Sequence, residues 1–319
     1  MSYVEWVRGR VGRRKIFLVF ASVILRDEHG RILLQHRSDF GVWGLPGGVL
    51  ELEEDVEACA RRELAEETGL TAGALRLVGV YDDPRYDVTY PNGDQVQQFT
   101  VCFAGSANGG RLQADGLESR AVAYVEPDQL DSLSIPVWYR DMIRDSERRG
   151  GPHFSSPFTA DQPLDQIVLM RQFVGQERLI GVGATVAVTR PSGRLLAIRR
   201  RDNGDWGLPA GFADLGENTA HAAVREVREE TGYNVTLDRI LGIYSAPRFH
   251  YTYPNGDQVK NVGVFYHARL VDGEATPDPD EVTEIAWMAP GDLLACVSDG
   301  YRRYVEPAVR HLDAGYFVE

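Results

Sequence analysis

The sequence predicts an α+β fold with mixed strands, built twice in two tandem domains. Three observations lead to this prediction. The segment YPNGDQV starts at Tyr90 and again at Tyr253, the same offset brings other segments into register without a gap, and each half repeats one order of strand, turn and helix patterns. A repeat this long exceeds the periods of solenoids and indicates duplication of a whole domain.

Two further pairs of segments align at the same offset. WGLPGG at 43–48 meets WGLPAG at 206–211, and IFLVFASVIL at 16–25 meets LIGVGATVAV at 179–188. Because the second apolar segment lies in mid-chain, we interpret the first one as a buried strand and not as a signal peptide. Each half is therefore expected to begin its sheet with this strand.

The two halves join where glycine, proline and serine cluster and apolar periodicity stops, at GGPHFSSPFTADQP (150–163). Such composition is typical of a linker. We expect a boundary near Pro157, with one domain at 1–157 and the other at 158–319. Duplication also allows the two domains to pair as an intramolecular pseudo-dimer.

Composition and charge limit the classes of function. The 319 residues are 43% hydrophobic, enough for two apolar cores without disulfides or a structural metal. Cys59, Cys102 and Cys296 form no CxxC pair, so we interpret them as packing residues of a cytoplasmic protein. A net charge of -13 argues against nucleic-acid or membrane partners, which bind basic patches, but allows a small anionic substrate held by metal ions.

One helix in each half carries the candidate chemistry. A glycine-rich loop precedes a predicted helix of about 14 residues. Asp55 and Asn218 are the expected N-caps, and Gly69 and Gly232 are the expected left-handed residues after the last turn.

Three carboxylates share one arc of this helix, because Glu63, Glu66 and Glu67 are spaced i, i+3 and i+4. Like charges beside an apolar stripe are costly unless a cation compensates them, and clustered carboxylate oxygens suit Mg²⁺ or Mn²⁺. The alternative is the solvated acidic face of an ordinary surface helix. The second half repeats the spacing with Glu226, Glu229 and Glu230.

Both segments resemble the Nudix box, whose pattern is glycine, five residues, glutamate, seven residues, then Arg-Glu-aliphatic-any-Glu-Glu-any-Gly-aliphatic. The first half fills all nine specified positions with Gly48, Glu54, Arg62, Glu63, Leu64, Glu66, Glu67, Gly69 and Leu70. The second half fills eight with Gly211, Glu217, Arg225, Glu226, Val227, Glu229, Glu230 and Gly232, and has Tyr233 in the last position. Each resemblance extends over nearly its whole half.

The resemblance implies an α/β/α sandwich that hydrolyses a nucleoside diphosphate linked to another moiety, with a divalent metal as cofactor. It implies that the three glutamates of each box hold the metal, helped by the main-chain carbonyl of Gly47 in the first half and of Ala210 in the second. It also implies that six further residues of the pattern orient the loop on the helix. These residues are Gly48, Glu54, Arg62, Gly211, Glu217 and Arg225.

A carboxylate must also take a proton from the attacking water, and the resemblance leaves two candidates in each half. The base is either a box glutamate, Glu63 or Glu226, or a glutamate of a later loop, Glu118 or Glu281, which also align. For the loop glutamates the alternative is simple solvation.

Six further residues are candidates for substrate binding. The arginines that end the strand before the loop are placed to contact phosphate, although exposed arginines are common there. Two more arginines follow a proline beyond the box, and two tyrosines before the hairpin turn either stack on a base or pack. These residues are Arg37, Arg200, Arg85, Arg248, Tyr90 and Tyr253.

The resemblance favours a small-molecule nucleotide substrate such as ADP-ribose or a related derivative. Removal of damaged nucleoside triphosphates is the alternative within the same enzyme class, and a nucleotide-binding regulator without turnover in one half is an alternative of another class. We expect both halves to be catalytically competent, since each retains three carboxylates. Their substrate preferences should differ, because the loop before the tryptophan is DFGV at 39–42 in the first half and DNGD at 202–205 in the second. An apolar edge is thus replaced by a polar one.

Overall fold

The computed structural model describes residues 1–253, 255–313 and 315–319. Residue contacts divide the chain into two compact units. The first domain comprises residues 1–153 and 170–180, and the second comprises residues 154–169 and 181–319. The boundary expected near Pro157 stays a prediction.

The first domain contains helices α1 to α3 and strands β1 to β10. They are α1 (Tyr3–Val11), β1 (Ile16–Leu25), β2 (Ile32–Arg37), β3 (Trp43–Gly44), β4 (Gly47–Val49), α2 (Val56–Thr68), β5 (Leu70–Ala72), β6 (Arg76–Tyr81), β7 (Val88–Thr89), β8 (Gln95–Gly105), β9 (Ala107–Gly110), β10 (Ser119–Val125) and α3 (Val137–Asp145). The apolar segment expected to form the first strand is therefore β1, and it is almost entirely buried.

The main sheet of the first domain has the strand order β4-β1-β8-β6, and β7 also pairs with β8. β1 and β8 run parallel, whereas the other pairs are antiparallel. A second sheet has the order β10-β2-β3. α2 packs on β1 and β4, and α3 packs on β6. The predicted mixed sheet flanked by helices is thus confirmed.

The rest of the chain repeats this plan with longer strands. Its elements are β11 (Thr159–Leu164), α4 (Gln166–Val174), β12 (Leu179–Thr189), β13 (Leu195–Arg200), β14 (Trp206–Gly207), β15 (Ala210–Phe212), β16 (Leu215–Glu217), α5 (Thr219–Thr231), β17 (Tyr233–Tyr244), β18 (His250–Thr252), β19 (Gln258–Gly273), β20 (Val282–Met288), α6 (Pro290–Cys296), α7 (Asp299–Arg310) and β21 (Phe317–Val318). Its main sheet has the order β14-β13-β12-β19-β17-β21, with β15 paired to β12 and β20 to β13. α5 packs on β15 and β17.

The predicted ends of the two central helices are confirmed. The side chains of Asp55 and Asn218 each accept a hydrogen bond from the main-chain N–H three residues on, at 2.8 Å in both domains. Gly69 and Gly232 follow the last turns with φ of 70° and 76°. This left-handed conformation is the one in which glycine avoids the steric penalty of a Cβ.

Both copies of YPNGDQV form the expected tight turns. In each, the tyrosine N–H donates to the carbonyl of the aspartate four residues on, at 2.9 Å in the first copy and 2.8 Å in the second. The glycine has a φ of 89° in both. Pro254, in the second copy, lies outside the described residues.

The cysteines differ from expectation in one case. Cys59 and Cys102 are buried, as expected of packing residues, but Cys296 is exposed. That interpretation is wrong for Cys296 because α6 buries Leu293 and ends at the cysteine. None of the helices within the described ranges is long and apolar enough to cross a membrane.

The C-terminal turn of α2 yields a first prediction. A Cβ at Gly69 would lie 2.4 Å from the carbonyl oxygen of Arg111, in addition to the cost of a positive φ. We expect Gly69→Ala to lower the free energy of unfolding by at least about 1–2 kcal/mol. Gly73→Ala is the control, because its Cβ would meet Ser106 and Asn108 at the ordinary distances of 3.6 and 3.7 Å. Calorimetry of the full chain checks this, and equal melting profiles for the two variants would contradict it.

Candidate active site

The central helix of each domain turns two of its three box glutamates inward. In α2, Glu63 is 8% exposed and Glu67 is 3% exposed, whereas Glu66 lies in solvent. The Glu67 carboxylate accepts a hydrogen bond from the Gly47 N–H at 2.8 Å. In α5, Glu230 accepts from the Ala210 N–H at 3.0 Å. The main chain of the preceding loop therefore holds one glutamate of each helix by its amide.

The glycine that opens each box is required because a glutamate side chain of the central helix lies directly against it. A Cβ at Gly48 would lie 2.3 Å from the carboxyl carbon of Glu63, and a Cβ at Gly211 would lie 2.1 Å from that of Glu226. Contacts this short do not occur between real atoms, so any other residue would displace the glutamate. The glycine thus leaves room for the carboxylate against the strand.

Arg62 joins the loop to the helix. Its guanidinium donates to Glu54 at 2.6 and 3.0 Å and to the carbonyl of Val49 at 3.1 Å. It also donates to Glu63 at 2.6 Å and to Glu66 at 3.2 Å. A single cation therefore contacts three carboxylates of the box, among them the exposed Glu66.

Arg225 makes the same contacts in the second domain. It donates to Glu217 at 2.6 and 3.3 Å, to Glu226 at 2.7 Å and to Glu229 at 2.9 Å. Here Glu217 is fully buried and also contacts His221 Nδ1 at 2.6 Å. Glu66 and Glu229, which the sequence grouped with the metal ligands, are thus held by these arginines at the exposed side of each helix.

A glutamate from a distant loop completes each acidic cluster. Oxygen atoms of Glu63, Glu67 and Glu118 lie within 4.8 Å of one another. The second domain repeats this arrangement with Glu226, Glu230 and Glu281. Three carboxylate oxygens gathered in this way form a donor set that fits a hard divalent ion.

Burial makes these carboxylates costly to ionise in the absence of a cation. Desolvation raises the pKa of Glu67 to about 8 and that of Glu226 to about 7. It also raises the pKa of Glu63 and Glu230, and neighbouring glutamates add to the shift. A bound cation would offset this cost because it restores favourable charge to groups removed from water.

The glutamates paired with the box arginines behave oppositely. Burial alone would raise the pKa of Glu54 and Glu217, but hydrogen bonds from arginine and from main-chain amides outweigh it and lower both pKa values. These two carboxylates are therefore ionised as partners of the arginines. Glu63 and Glu226 contact the same arginines, but desolvation outweighs that contact and raises their pKa values.

The space beside each cluster differs in size. In the second domain an open cleft of about 790 Å³ adjoins Glu226 and Glu281. In the first domain the cavity lined by Arg37, Gly47 and Tyr90, which match Arg200, Ala210 and Tyr253 of the second cleft, measures only about 30 Å³, and none of the three clustered glutamates lines it. The residues that line the cleft of the second domain include two arginines and six aromatic residues, which are Arg200, Arg225, Phe212, Tyr244, Tyr251, Tyr253, Tyr301 and Tyr304.

Comparison with known proteins decides the family. A model of the NUDIX domain matches residues 17–146 and 179–307, more than half of the chain. The chain belongs to the Nudix hydrolase family. It carries two tandem Nudix domains, and it is an enzyme of a class that acts on phosphorus-containing anhydride bonds.

Individual relatives each match part of the chain. A Bacillus subtilis protein described as a candidate 8-oxo-dGTP diphosphatase is 35% identical over 111 residues, which are 35% of this chain and 68% of the relative. A MutT-like protein of Streptomyces ambofaciens is 34% identical over 136 residues, 43% of this chain and 80% of the relative. An ADP-ribose pyrophosphatase of Methanocaldococcus jannaschii is 37% identical over 67 residues, 20% of this chain and 40% of the relative.

The arginines selected as candidate substrate contacts of this Nudix hydrolase all have acidic partners within their own domain. Arg37 forms a two-pronged pair with Asp39 at 2.7 and 3.0 Å, and Arg200 contacts Asp202 at 3.2 Å. Arg37 and Arg200 line the cavities next to the Nudix boxes. Arg85 and Arg248 are exposed beyond them. Arg85 contacts Asp83 and Asp141, and Arg248 contacts Glu319.

The two hairpin tyrosines both lie at the cavities. Tyr90 packs on Phe40 with ring centroids 5.1 Å apart, whereas Tyr253 meets Tyr251 edge to face at 4.8 Å. Tyr253 lines the large cleft of the second domain, and Tyr90 lines the small cavity of the first. Packing and base stacking are thus both compatible with the position of Tyr253.

Sequence reasoning missed two features of the Nudix sites. Gln35 is buried, donates to the Leu45 carbonyl at 3.2 Å and accepts a hydrogen bond from Ser119, so it connects the loop before the box to the strand after Glu118, and it acts to lower the pKa of Glu67. Tyr301 and Tyr304 form the wall of the second cleft. Their i, i+3 spacing in a terminal amphipathic helix was the available signal, since it places both rings on one face.

The opening glycine of the Nudix box yields a second prediction. Gly48→Ala should displace the Glu63 carboxylate and abolish divalent-ion binding in the first domain, because the new Cβ and the carboxylate cannot share one place. Titration of the apo protein with Mn²⁺ would then show the loss of the first-domain site. Gly9→Ala is the control, since a Cβ there meets nothing within 4 Å. An unchanged Mn²⁺ isotherm for Gly48→Ala would contradict the prediction.

Proposed function

We propose that the chain is a metal-dependent pyrophosphohydrolase that cleaves a nucleoside diphosphate linked to another moiety, with ADP-ribose or a related derivative as substrate. The observation that carries the proposal is the three-carboxylate cluster beside an open, tyrosine-walled cleft in the second domain. The similarity to an ADP-ribose pyrophosphatase of Methanocaldococcus jannaschii supports this substrate class.

Hydrolysis of damaged nucleoside triphosphates is the second candidate. The similarity to the Bacillus subtilis relative, described as a candidate 8-oxo-dGTP diphosphatase, favours it. Both reactions break a phosphoric anhydride, so the same clusters would serve either one. A nucleotide-binding regulator without turnover remains the alternative for one domain.

Within the proposal, the buried pair of each cluster holds the cofactor, which is Mg²⁺ or Mn²⁺. Glu63 and Glu67 do so in the first domain, and Glu226 and Glu230 in the second. A bound divalent ion supplies positive charge that neutralises the pyrophosphate and acidifies the attacking water. The N–H groups of Gly47 and Ala210 orient one glutamate of each pair, and the main-chain carbonyls of the same two residues are proposed as further ligands.

Glu118 and Glu281 are proposed as the proton acceptors. Both are exposed, whereas Glu63 and Glu226 are held by arginine at 2.6 and 2.7 Å. Among the described residues none is seen to donate a hydrogen bond to the Glu281 or Glu118 carboxylate, so each is able to turn toward a water molecule. A carboxylate that takes a proton from water and releases it must have such access.

The proposal places the phosphates between the cluster and Arg200, whose guanidinium lies on the cleft wall. Burial by itself would lower the pKa of Arg200, but neighbouring tyrosines and acidic residues raise it, and their effect is the larger one. Arg200 is therefore a permanent cation. The partner is thus a small nucleotide, not nucleic acid or membrane. A cytoplasmic location and an intramolecular pseudo-dimer of the two domains stay parts of the proposal.

Metal dependence gives the third prediction. Hydrolysis of ADP-ribose should stop in excess chelator and return with Mg²⁺ or Mn²⁺, because the buried carboxylates need a cation to act on an anionic substrate. Products are separated by ion-exchange chromatography. AMP with ribose phosphate supports the diphosphate reaction, whereas activity confined to triphosphates with release of pyrophosphate supports the second candidate. Turnover that persists in chelator would contradict metal dependence.

The proton acceptor gives the fourth prediction. Glu118→Gln/Glu281→Gln should lower kcat about a hundredfold or more, with a much smaller change in KM, since it removes the acceptor in both domains. Glu126→Gln/Glu284→Gln is the control, because both of these glutamates are exposed and lie outside the clusters. A kcat near that of the control would assign the proton transfer to Glu63 and Glu226 instead.

A further inference from the structure

We propose that only the second domain binds the nucleoside part of a substrate, and that aromatic side chains close the corresponding cleft of the first domain. This inference rests on the proposed function and adds which domain selects the substrate and through which residues. Three positions carry it, and at each a large ring of the first domain is replaced by a small residue in the second. The pairs are Phe20 and Gly183, Phe40 and Asn203, and Trp138 and Gly300.

Strand pairing establishes the equivalence of the first pair. In the first domain Phe20 lies opposite Val49, and its neighbour pairs with the box glycine Gly48. In the second domain Gly183 lies opposite Phe212, and its neighbour pairs with the box glycine Gly211. Phe20 lines the first-domain cavity. Gly183 has no side chain, and at this wall of the second cleft the ring belongs to its strand partner Phe212.

The loop after the second strand establishes the next pair. In each domain an arginine at the strand end is paired with an aspartate two residues on, Arg37 with Asp39 and Arg200 with Asp202. The following residue is Phe40 in the first domain, where its ring packs on Tyr90 at the cavity. Asn203 takes this place in the second domain, at the rim of the large cleft.

Tyrosine packing establishes the third pair. A Cβ at Gly44 would meet the Tyr139 ring at 2.6 Å, and a Cβ at Gly207 would meet the Tyr301 ring at 3.0 Å. These tyrosines therefore occupy one position in the two terminal helices. The residue before Tyr139 is Trp138, which lines the small cavity, whereas the residue before Tyr301 is Gly300.

The cavity volumes show the consequence. Ligand pockets for molecules of nucleotide size measure roughly 300–1,000 Å³. The second cleft, at about 790 Å³, lies within this range. The first cavity, at about 30 Å³, holds no more than a water molecule or two. A nucleoside therefore fits only the second domain.

The walls of the second cleft suit a base. Tyr251 meets Tyr253 edge to face at 4.8 Å, and the Tyr301 and Tyr304 rings lie 5.3 Å apart. Aromatic side chains that border an open cleft provide surfaces on which a heterocycle stacks. The amide side chain of Asn261 also lines the cleft and can meet polar edges of a base or sugar.

The first domain nevertheless keeps its carboxylate cluster of Glu63, Glu67 and Glu118. The carboxylate clusters of the two domains match, whereas their clefts differ in volume. The domains should therefore differ in binding the nucleoside part of a ligand and not in binding the cation. The inference therefore replaces the expectation that both domains hydrolyse nucleotides. Nucleotide hydrolysis is assigned to the second domain, and the first retains a site for the divalent ion.

Binding of a nucleotide that cannot be hydrolysed tests the inference directly. The full chain is titrated with α,β-methylene-ADP in Mg²⁺ by isothermal calorimetry, and one binding event per chain is expected. Gly300→Trp should weaken binding at least tenfold, because it restores at the second cleft the ring that Trp138 provides in the first. The matched control is Gly291→Trp, since a Cβ at this exposed helical glycine meets nothing within 4 Å. It should bind like the natural chain.

The reciprocal variant opens the first domain. Phe40→Asn/Trp138→Gly should add a second binding event, with melting temperature as the check on folding and Phe40→Asn/Trp138→Ala as the milder substitute. Two equal sites in the natural chain, or binding by Gly300→Trp equal to that by Gly291→Trp, would overturn the inference.

Binding measurements test this inference, whereas turnover measurements test the proposed function. One event per chain that Gly300→Trp removes supports the inference even when ADP-ribose and triphosphates are not hydrolysed, an outcome that would refute the proposed function alone. Hydrolysis of nucleotides with two equal binding sites would leave the proposed function in place and refute the inference alone.

Discussion

The burial of like-charged carboxylates against a glycine main chain is the constraint on which both sites depend. Glu63 and Glu67 lie almost out of solvent, and desolvation raises the pKa of both. Burial of like charges this close together is costly unless a cation compensates them. The fold therefore gathers a set of donors that fits a divalent ion, and the missing Cβ of Gly48 leaves the space in which the Glu63 carboxylate approaches the main chain.

The box arginine compensates part of the negative charge of the box glutamates. Arg62 contacts Glu54, Glu63 and Glu66 at once, so the loop and the helix share one permanent cation. Because the guanidinium remains charged at all physiological pH values and its donors are fixed in a plane, it holds these three carboxylates in one arrangement. Of the buried pair, Glu63 also contacts the arginine, whereas Glu67 accepts a hydrogen bond from the Gly47 N–H.

Duplication preserved this electrostatic centre and changed its surroundings. Each domain gathers three carboxylates to within 4.8 Å. The residues that differ are contributed by the first strand, by the loop after the second strand and by the terminal helix, and Phe20, Phe40 and Trp138 represent these three sources in the first domain. Among the described residues, the hydrogen-bond partners of Arg62 do not include these three, so substrate access can change between domains while the arginine keeps its carboxylate partners.

The sequence by itself determined the duplication, the mixed α+β fold, the helix ends at Asp55 and Gly69 and the position of the acidic face, because each depends on local spacing or on a repeated pattern. Only the tertiary structure decided that Glu118 joins Glu63 and Glu67 while Glu66 turns to the arginine. It alone decided that one cleft is open and the other filled. The walls of a cleft come from segments far apart in the chain, and their spacing is set by packing, which no local pattern encodes.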